Sequence, residues 1–196
     1  MRIVIVVVLL LAAPARADVD VGGFVGLGFG PARIAGELGE RFTGAGATGQ
    51  MRMGFRVERA GLELRVAFMG LDDSAGLDAP VLVTVTPLVT GYLVQRRYIQ
   101  LLAHAGLGFS TLGGTRMAQV ACVPPEECLT RLETESITYP GIALDGGLTA
   151  QVHFGRKTNH AMLWIDVAGS LHRHRVDDVI QTGRTTGLVI GIADAF

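Results

Sequence analysis

The chain has 196 residues, with 17 Lys+Arg, 18 Asp+Glu and five His, for a formal net charge of −1. That balance excludes the strongly basic face on which nucleic-acid binding depends. A 49% hydrophobic content excludes a disordered polar chain, and 27 glycines suit tight β-architecture better than helices.

The first residues read as an export signal. Arg2 precedes the apolar run IVIVVVLLLAA, and small residues follow at Ala15 and Ala17. A charged start, a short apolar stretch and an A-x-A site predict a secretory signal peptide over residues 1–17, cut between Ala17 and Asp18. Pro14 ends the apolar run before it is long enough to span a bilayer. Removing 17 of 196 residues leaves 179, enough for one domain over 18–196. Arg2 and Arg16 leave with the signal, so 15 basic residues face 18 acidic ones. Lys157 is the only lysine.

From there the hydrophobic period is two. In DVDVGGFVGLGFG the apolar side carries Val19, Val21, Val25, Leu27 and Phe29. Met51, Met53, Phe55 and Val57 alternate with Arg52 and Arg56. After the turn ERAG, Leu62, Leu64, Val66 and Phe68 alternate with Glu63 and Arg65. The fourth segment alternates Val81, Val83, Val85, Val89 and Leu93 with Thr84, Thr86, Thr90 and Tyr92. The fifth sets Ile99, Leu101, Leu107 and Phe109 against Gln100 and His104. The sixth sets Ile142, Leu144, Leu148, Val152 and Phe154 against Asp145, Thr149, Gln151 and His153. The seventh sets Leu163, Ile165 and Val167 against Met162, Trp164 and Asp166, and the eighth runs from Thr185 to Phe196.

Eight strands are predicted. ERAG, QRR and GRKTN form short turns at one end. Long loops are expected at the other: Gly30 to Ala47, LDDSAGLDA, the Cys-bearing segment between strands 5 and 6, and LHRHRVDDVIQTG. Cys122 and Cys128 close a small loop in CVPPEEC. In an exported chain they are expected to form a disulfide, since C-x₅-C is not a zinc spacing.

Alternation fits a soluble lipocalin-like barrel or a membrane barrel, and these are inside-out relatives. The less apolar faces mix Gly, Ala and Thr with a few charges, which suits a cramped interior better than a solvent face. The strands lack the lysines of a water-facing sheet. Outward aromatics fall near strand ends: Phe29, Phe68 and Phe109 toward the loops, and Phe55, Phe154 and Phe196 toward the turns. Two aromatic girdles are the mark of a membrane barrel. The fold expected is therefore all-β: an eight-stranded antiparallel up-and-down transmembrane β-barrel after a signal peptide. Phe196 is then the last outward residue of strand 8, paired through barrel closure with strand 1.

On these residues the chain resembles the small eight-stranded outer-membrane barrels of Gram-negative bacteria, the group of OmpX and the OmpA transmembrane domain. The resemblance covers 18–196. It rests on the architecture, the signal peptide and the outward series Leu188, Ile190, Ile192 and Phe196. It implies outer-membrane residence and a non-enzymatic role in envelope integrity or adhesion. It also implies contact with outer-membrane lipid and lipopolysaccharide, and recognition of Phe196 by the barrel-assembly machinery. No cofactor is implied, and a monomer is expected. Asp194 departs from the usual apolar pattern. Pro87 falls inside strand 4, where a bulge, a kink or a shorter strand is expected.

The inward charges Asp20, Arg52, Arg56, Glu63, Arg65, Asp145 and Asp166, with His104 and His153, are expected to form a packed network of ion pairs rather than a pore. HRHR (172–175) is read as a solvated loop, with Arg173 and Arg175 placed to touch lipopolysaccharide phosphates. A lipid A hydrolase built on Ser170, His172 and Asp177 is the enzymatic alternative. Asp72, Asp73 and Asp78 are read as an ordinary acidic loop rather than a calcium site.

Overall fold

The computed structural model describes residues 21–42, 45–57, 59–72, 77–96, 98–119, 132–154 and 160–196. The predicted signal and its Ala17–Asp18 cut, Asp20, Asp73, Lys157, Cys122 and Cys128 lie outside the described residues.

Eight strands form one closed ring: β1 (Val21–Gly36), β2 (Ala45–Val57), β3 (Ala60–Gly70), β4 (Asp78–Gln95), β5 (Ile99–Gln119), β6 (Leu132–Phe154), β7 (His160–Val176) and β8 (Val179–Ala195). Each pairs antiparallel with its sequence neighbours, and β8 closes on β1. The chain end is tied into this seam. The amide of Gly23 donates to the carbonyl of Phe196 at 2.8 Å, and the amide of Phe196 returns the bond at 2.9 Å.

One ladder row runs from Leu27 through Met51, Val66, Val85, Phe109, Ile142 and Arg173 to Thr182. Gly183 pairs with Gly36, the last residue of β1, so the row returns to the chain one position beyond it, at Glu37, ten residues above its start. A stagger of ten residues over eight strands tilts the strands by about 40°. With a rise of about 3.3 Å per residue, each step along a strand gains about 2.5 Å of height.

The polarity is that of an object built for hydrocarbon. Leu62, Phe55, Phe109, Val167, Leu144 and Ile192 point outward and are exposed, while Arg52, Glu63, Arg65, Asp145 and Asp166 are buried inside. A lipocalin-like carrier would have the reverse. The exposed apolar surface spans about 25 Å, from the level of Phe154 and Phe196 to that of Leu171 and Ile142, which matches a lipid-facing band. Phe29 and Phe68 lie on the loop-end side of this band, and their rings meet edge to face at 6.4 Å. Asp194 points outward near the turn end.

Several loop-end expectations are corrected. The segment after Gly30 is not a loop: β1 continues to Gly36, and a short helix, α1 (Glu37–Arg41), follows. β5 and β6 continue as a paired ribbon, Thr111–Gln119 against Leu132–Pro140. LHRHRVDDVIQTG is a tight hairpin, with Val176 paired to Val179 around Asp177 and Asp178. Both turn residues have positive φ, 48° and 64°, the geometry of a two-residue hairpin turn. The alternation of long and short connections therefore fails at β7–β8, because His172 and His174 extend the strand pattern inward. Pro87 neither ends nor bulges β4. The strand holds one register on both sides of Pro87, and only the pairing of Thr86 and Pro87 with β5 lapses. The register shifts of β4 lie elsewhere, at Asp78/Val81 and Tyr92/Val94.

Candidate functional site

The barrel interior is layered. Nearest the turn end lies an apolar layer of Phe24, Met162, Trp164, Val189 and Ala193. Trp164 fits because its row neighbours Gly191 and Gly28 have no side chains. A Cβ on either would stand 2.3 or 2.4 Å from the indole. Two arginines bracket this layer, Arg52 on its loop-end side and Arg56 toward the turn end. The Arg52 guanidinium lies 4.7 Å from the Trp164 ring centre, and that of Arg56 lies 4.2 Å from the centre of Phe24.

Above it sits the charged layer. Alternation on β2, β3, β5, β6 and β7 turns one side chain in two toward the axis, so these groups converge from five strands. Arg52 donates through Nε to Glu63 and through its terminal nitrogens to Thr149 Oγ1, at 3.2 and 3.3 Å. Thr149 donates to Asp166 at 2.7 Å. Arg65 bridges Asp166 at 3.3 Å and Asp145 at 3.2 Å, and meets His104 Nε2 at 3.3 Å. An arginine donor on Nε2 leaves the His104 proton on Nδ1, which faces Thr149 at 3.3 Å. Ser170 donates to Asp145. Arg56 donates to Gln151 at 2.7 Å. Two guanidiniums, Arg52 and Arg65, thus share the three carboxylates of Glu63, Asp145 and Asp166 in a volume without bulk water, while Arg56 is held by Gln151 and the Phe24 ring instead. His153 is not in this group. It meets Gln100 at 3.0 Å, near the turn end of the barrel.

Between this layer and the loop end is a cavity of about 50 Å³, lined by Thr48, Gln50, Arg65, Ser170, His172 and Thr185 among others. It has room for a few waters and none for an organic ligand. His172 meets Thr185 at 3.0 Å. His174 meets the Tyr139 carbonyl through Nδ1 at 3.0 Å and Ser110 through Nε2 at 2.9 Å. Nδ1 is therefore the donor, and Nε2 accepts from the hydroxyl.

The loop end is sealed by an apolar cap that the sequence reading missed. Leu38 of α1 and Phe42 after it are fully buried among Ile34, Met69, Leu82, Leu112 and Val176. The signal was present, since Leu38 and Phe42 stand at helical i, i+4 spacing after a segment of period two. Two polar latches hold the cap. Glu37 accepts from the backbone amide of Thr182 at 2.7 Å and from its hydroxyl at 3.0 Å. These bonds hold the Glu37 carboxyl below its usual pKa. Arg41 pairs with Asp177, which also accepts from Tyr139 at 3.0 Å. Both donors lower the pKa of the Asp177 carboxyl.

The residues of the hydrolase alternative are not brought together. Ser170 is bonded to Asp145, His172 to Thr185, and Asp177 lies on the outer turn with Arg41. Among the described residues no group of three or more His, Cys, Asp or Glu could hold a metal.

In overall shape the barrel is similar to neisserial surface protein A, with a TM-score of 0.55, 11% identity, and coverage of 87% of this chain and 95% of that one. The attachment invasion locus protein Ail of Yersinia pestis gives 0.46, 13%, 89% and 98%. The N-terminal β-barrel domain of Pseudomonas aeruginosa OprF gives 0.44, 10%, 87% and 96%. No protein-family model and no curated sequence matches the chain. The fold is that of the eight-stranded outer-membrane β-barrels.

Proposed function

We propose that this chain is a non-enzymatic barrel of the bacterial outer membrane, acting as a rigid scaffold for surface contact or envelope integrity. One observation carries the reading: an exposed apolar belt surrounds an interior filled with paired charges and closed at the loop end by Leu38 and Phe42. An interior whose cavity of about 50 Å³ holds only a few waters offers no room for an organic substrate and no channel, which leaves the outer wall and the loop end to meet other molecules. The β5–β6 ribbon is the main projecting element, and its Arg116 and Glu135 pair across the strands at 3.0 Å. Residues 1–17 act as the export signal, and Cys122 and Cys128, in the sequence between β5 and β6, form a disulfide in the oxidising periplasm. The barrel is a monomer with outer-membrane lipid and lipopolysaccharide around it, and Phe196 is its handle for the assembly machinery.

The test is fractionation of expressing cells followed by gel migration with and without boiling. The protein is expected in the detergent-extracted outer membrane, with a mobility shift on heating. Recovery as a water-soluble protein from the periplasm or medium, with no shift, overturns the reading.

A further inference from the structure

Three arginines stand on the outer wall just above the apolar belt: Arg33 on β1, Arg184 on β8 and Arg173 on β7. All three are exposed and point outward. None has an ion-pair or hydrogen-bond partner among the described residues. The other arginines of this rim are neutralised, Arg175 by Asp178 at 3.2 Å and Arg41 by Asp177.

The barrel's stagger aligns the three. Arg33 pairs with Thr186 and Arg173 with Thr182, so Arg184 lies two residues from each of those partners on β8. Neighbours in the array are therefore diagonal pairs, about 7–8 Å apart at the backbone. A ladder row climbs about 1.25 residues per strand, so each two-residue diagonal offset is mostly cancelled. The three backbones come within about 4 Å of one height. That height is the level of Leu171 and Ile142, where the apolar belt ends. The array is one-sided, because at the same level β2 to β5 present Ala47, Gly70, Val83 and Thr111.

We propose that Arg33, Arg184 and Arg173 form a binding site for the phosphate groups of a glycolipid headgroup, with the acyl chains lying on Leu171, Val167 and Leu188 below. This rests on the membrane placement proposed above. A guanidinium at the edge of hydrocarbon keeps its stem on apolar surface and its fork in the headgroup layer. Phosphate oxygens accept bidentate charge-assisted bonds from that fork. Three unneutralised forks in a row require about as many negative charges, which a diphosphorylated lipid brings and a zwitterionic one does not. Thr186 adds an exposed hydroxyl within the array.

The test is a titration of the refolded full chain in detergent, read by native mass spectrometry. The probes are diphosphorylated lipid A, the same lipid with its phosphates removed, and a soluble sulfated oligosaccharide. Wild type is expected to retain lipid A, and to lose about tenfold or more in affinity when the phosphates are removed. The triple variant Arg33→Gln/Arg173→Gln/Arg184→Gln is expected to show the same loss, while Arg116→Gln/Arg175→Gln binds like wild type. The single variant Arg184→Glu, a surface change with little risk to folding, is expected to weaken binding in the same direction. Unchanged lipid A binding by the triple and single variants overturns the proposal, as does equal loss in the control. Preference for the soluble oligosaccharide over lipid A also overturns it, in favour of a glycan site. Heat-shifted migration of each sample keeps the two claims apart. A wild type that shifts yet ignores lipid A overturns the arginine site alone, and one that never shifts overturns the membrane reading as well.

Discussion

The Arg52 guanidinium faces two ways: its central carbon lies 4.7 Å from the Trp164 ring centre, and its nitrogens reach Glu63 and Thr149. One side chain therefore joins the apolar floor of the interior to the charged layer above it. Arg52→Ala should destabilise the barrel by about 3–5 kcal/mol, because Glu63 is left buried and unpaired. Arg52→Met/Glu63→Leu should recover most of that loss, since no orphaned charge remains. Urea unfolding from lipid vesicles, followed by fluorescence of the single tryptophan, reads both. A single variant as stable as wild type would show that the pair is not desolvated.

Gly191 and Gly91 are both strand glycines, yet they should respond in opposite ways to alanine. A Cβ at Gly191 would stand 2.3 Å from the Trp164 ring and 2.5 Å from the Leu27 carbonyl. At Gly91 it would meet nothing within 4 Å. Gly191→Ala should cost about 2 kcal/mol or more through displaced backbone and ring. Gly91→Ala should be neutral or stabilise by up to about 1 kcal/mol, because glycine weakens a strand interior. Equal midpoints in urea for the two variants would contradict the packing around Trp164.

The cap over the loop end should loosen in acid. Hydrogen bonds hold both the Glu37 and Asp177 carboxyls below their ordinary range. A depressed folded-state pKa gives stabilisation that is complete above the unfolded value of about 4 and fades as pH falls through the lowered value. Hydrogen-exchange protection of the Thr182 amide, which donates to Glu37, should stay level from neutral pH to about 5 and fall below about 4. Glu37→Gln should remove most of that fall. Protection in wild type that stays constant down to pH 3 would contradict the latch.

The barrel should not conduct. The apolar cap closes the loop end, and below it the Arg52–Glu63–Asp166–Arg65 layer and Trp164 fill the axis. Opening the cap with Leu38→Asp/Phe42→Ser should therefore leave planar-bilayer conductance at the lipid background. A stable open level in wild type would contradict a filled interior, and one only in the variant would show that the cap is the whole barrier.

Strand count, facing and closure were readable because the period-two pattern is regular where one side meets lipid. Met51 to Val57 and Leu62 to Phe68 point where their alternation predicts. Boundaries at the loop end were not readable, because outward positions above the belt become polar. Arg173 and Arg175 continue β7 but look like loop residues once the apolar signal stops. The hairpin turn carries Asp177–Asp178 in place of the usual glycine, so the punctuation was absent too. The inward facing of Arg52, Glu63, Arg65, Asp145 and Asp166 follows from their parity, whereas His153, grouped with them by the same parity, lies apart against Gln100. The pairing of these charges was not legible, since Arg52 meets Thr149 across 97 positions of sequence and only ring closure brings them together. Pro87 was expected to break the ladder, yet missing one donor is tolerated with the register kept on both sides.

The central claim is that hydrocarbon touches the apolar wall while the charged wall is hidden from it. The most direct measurement is tryptophan quenching by brominated lipid acyl chains in reconstituted bilayers, using wild type, whose only tryptophan is the inward Trp164, and Trp164→Phe/Leu148→Trp, which moves it to the outer wall. Strong quenching at position 148 and much weaker quenching at Trp164 is the predicted result. Strong quenching of Trp164 with none at 148, or a protein that stays in water and never enters the bilayer, would contradict it.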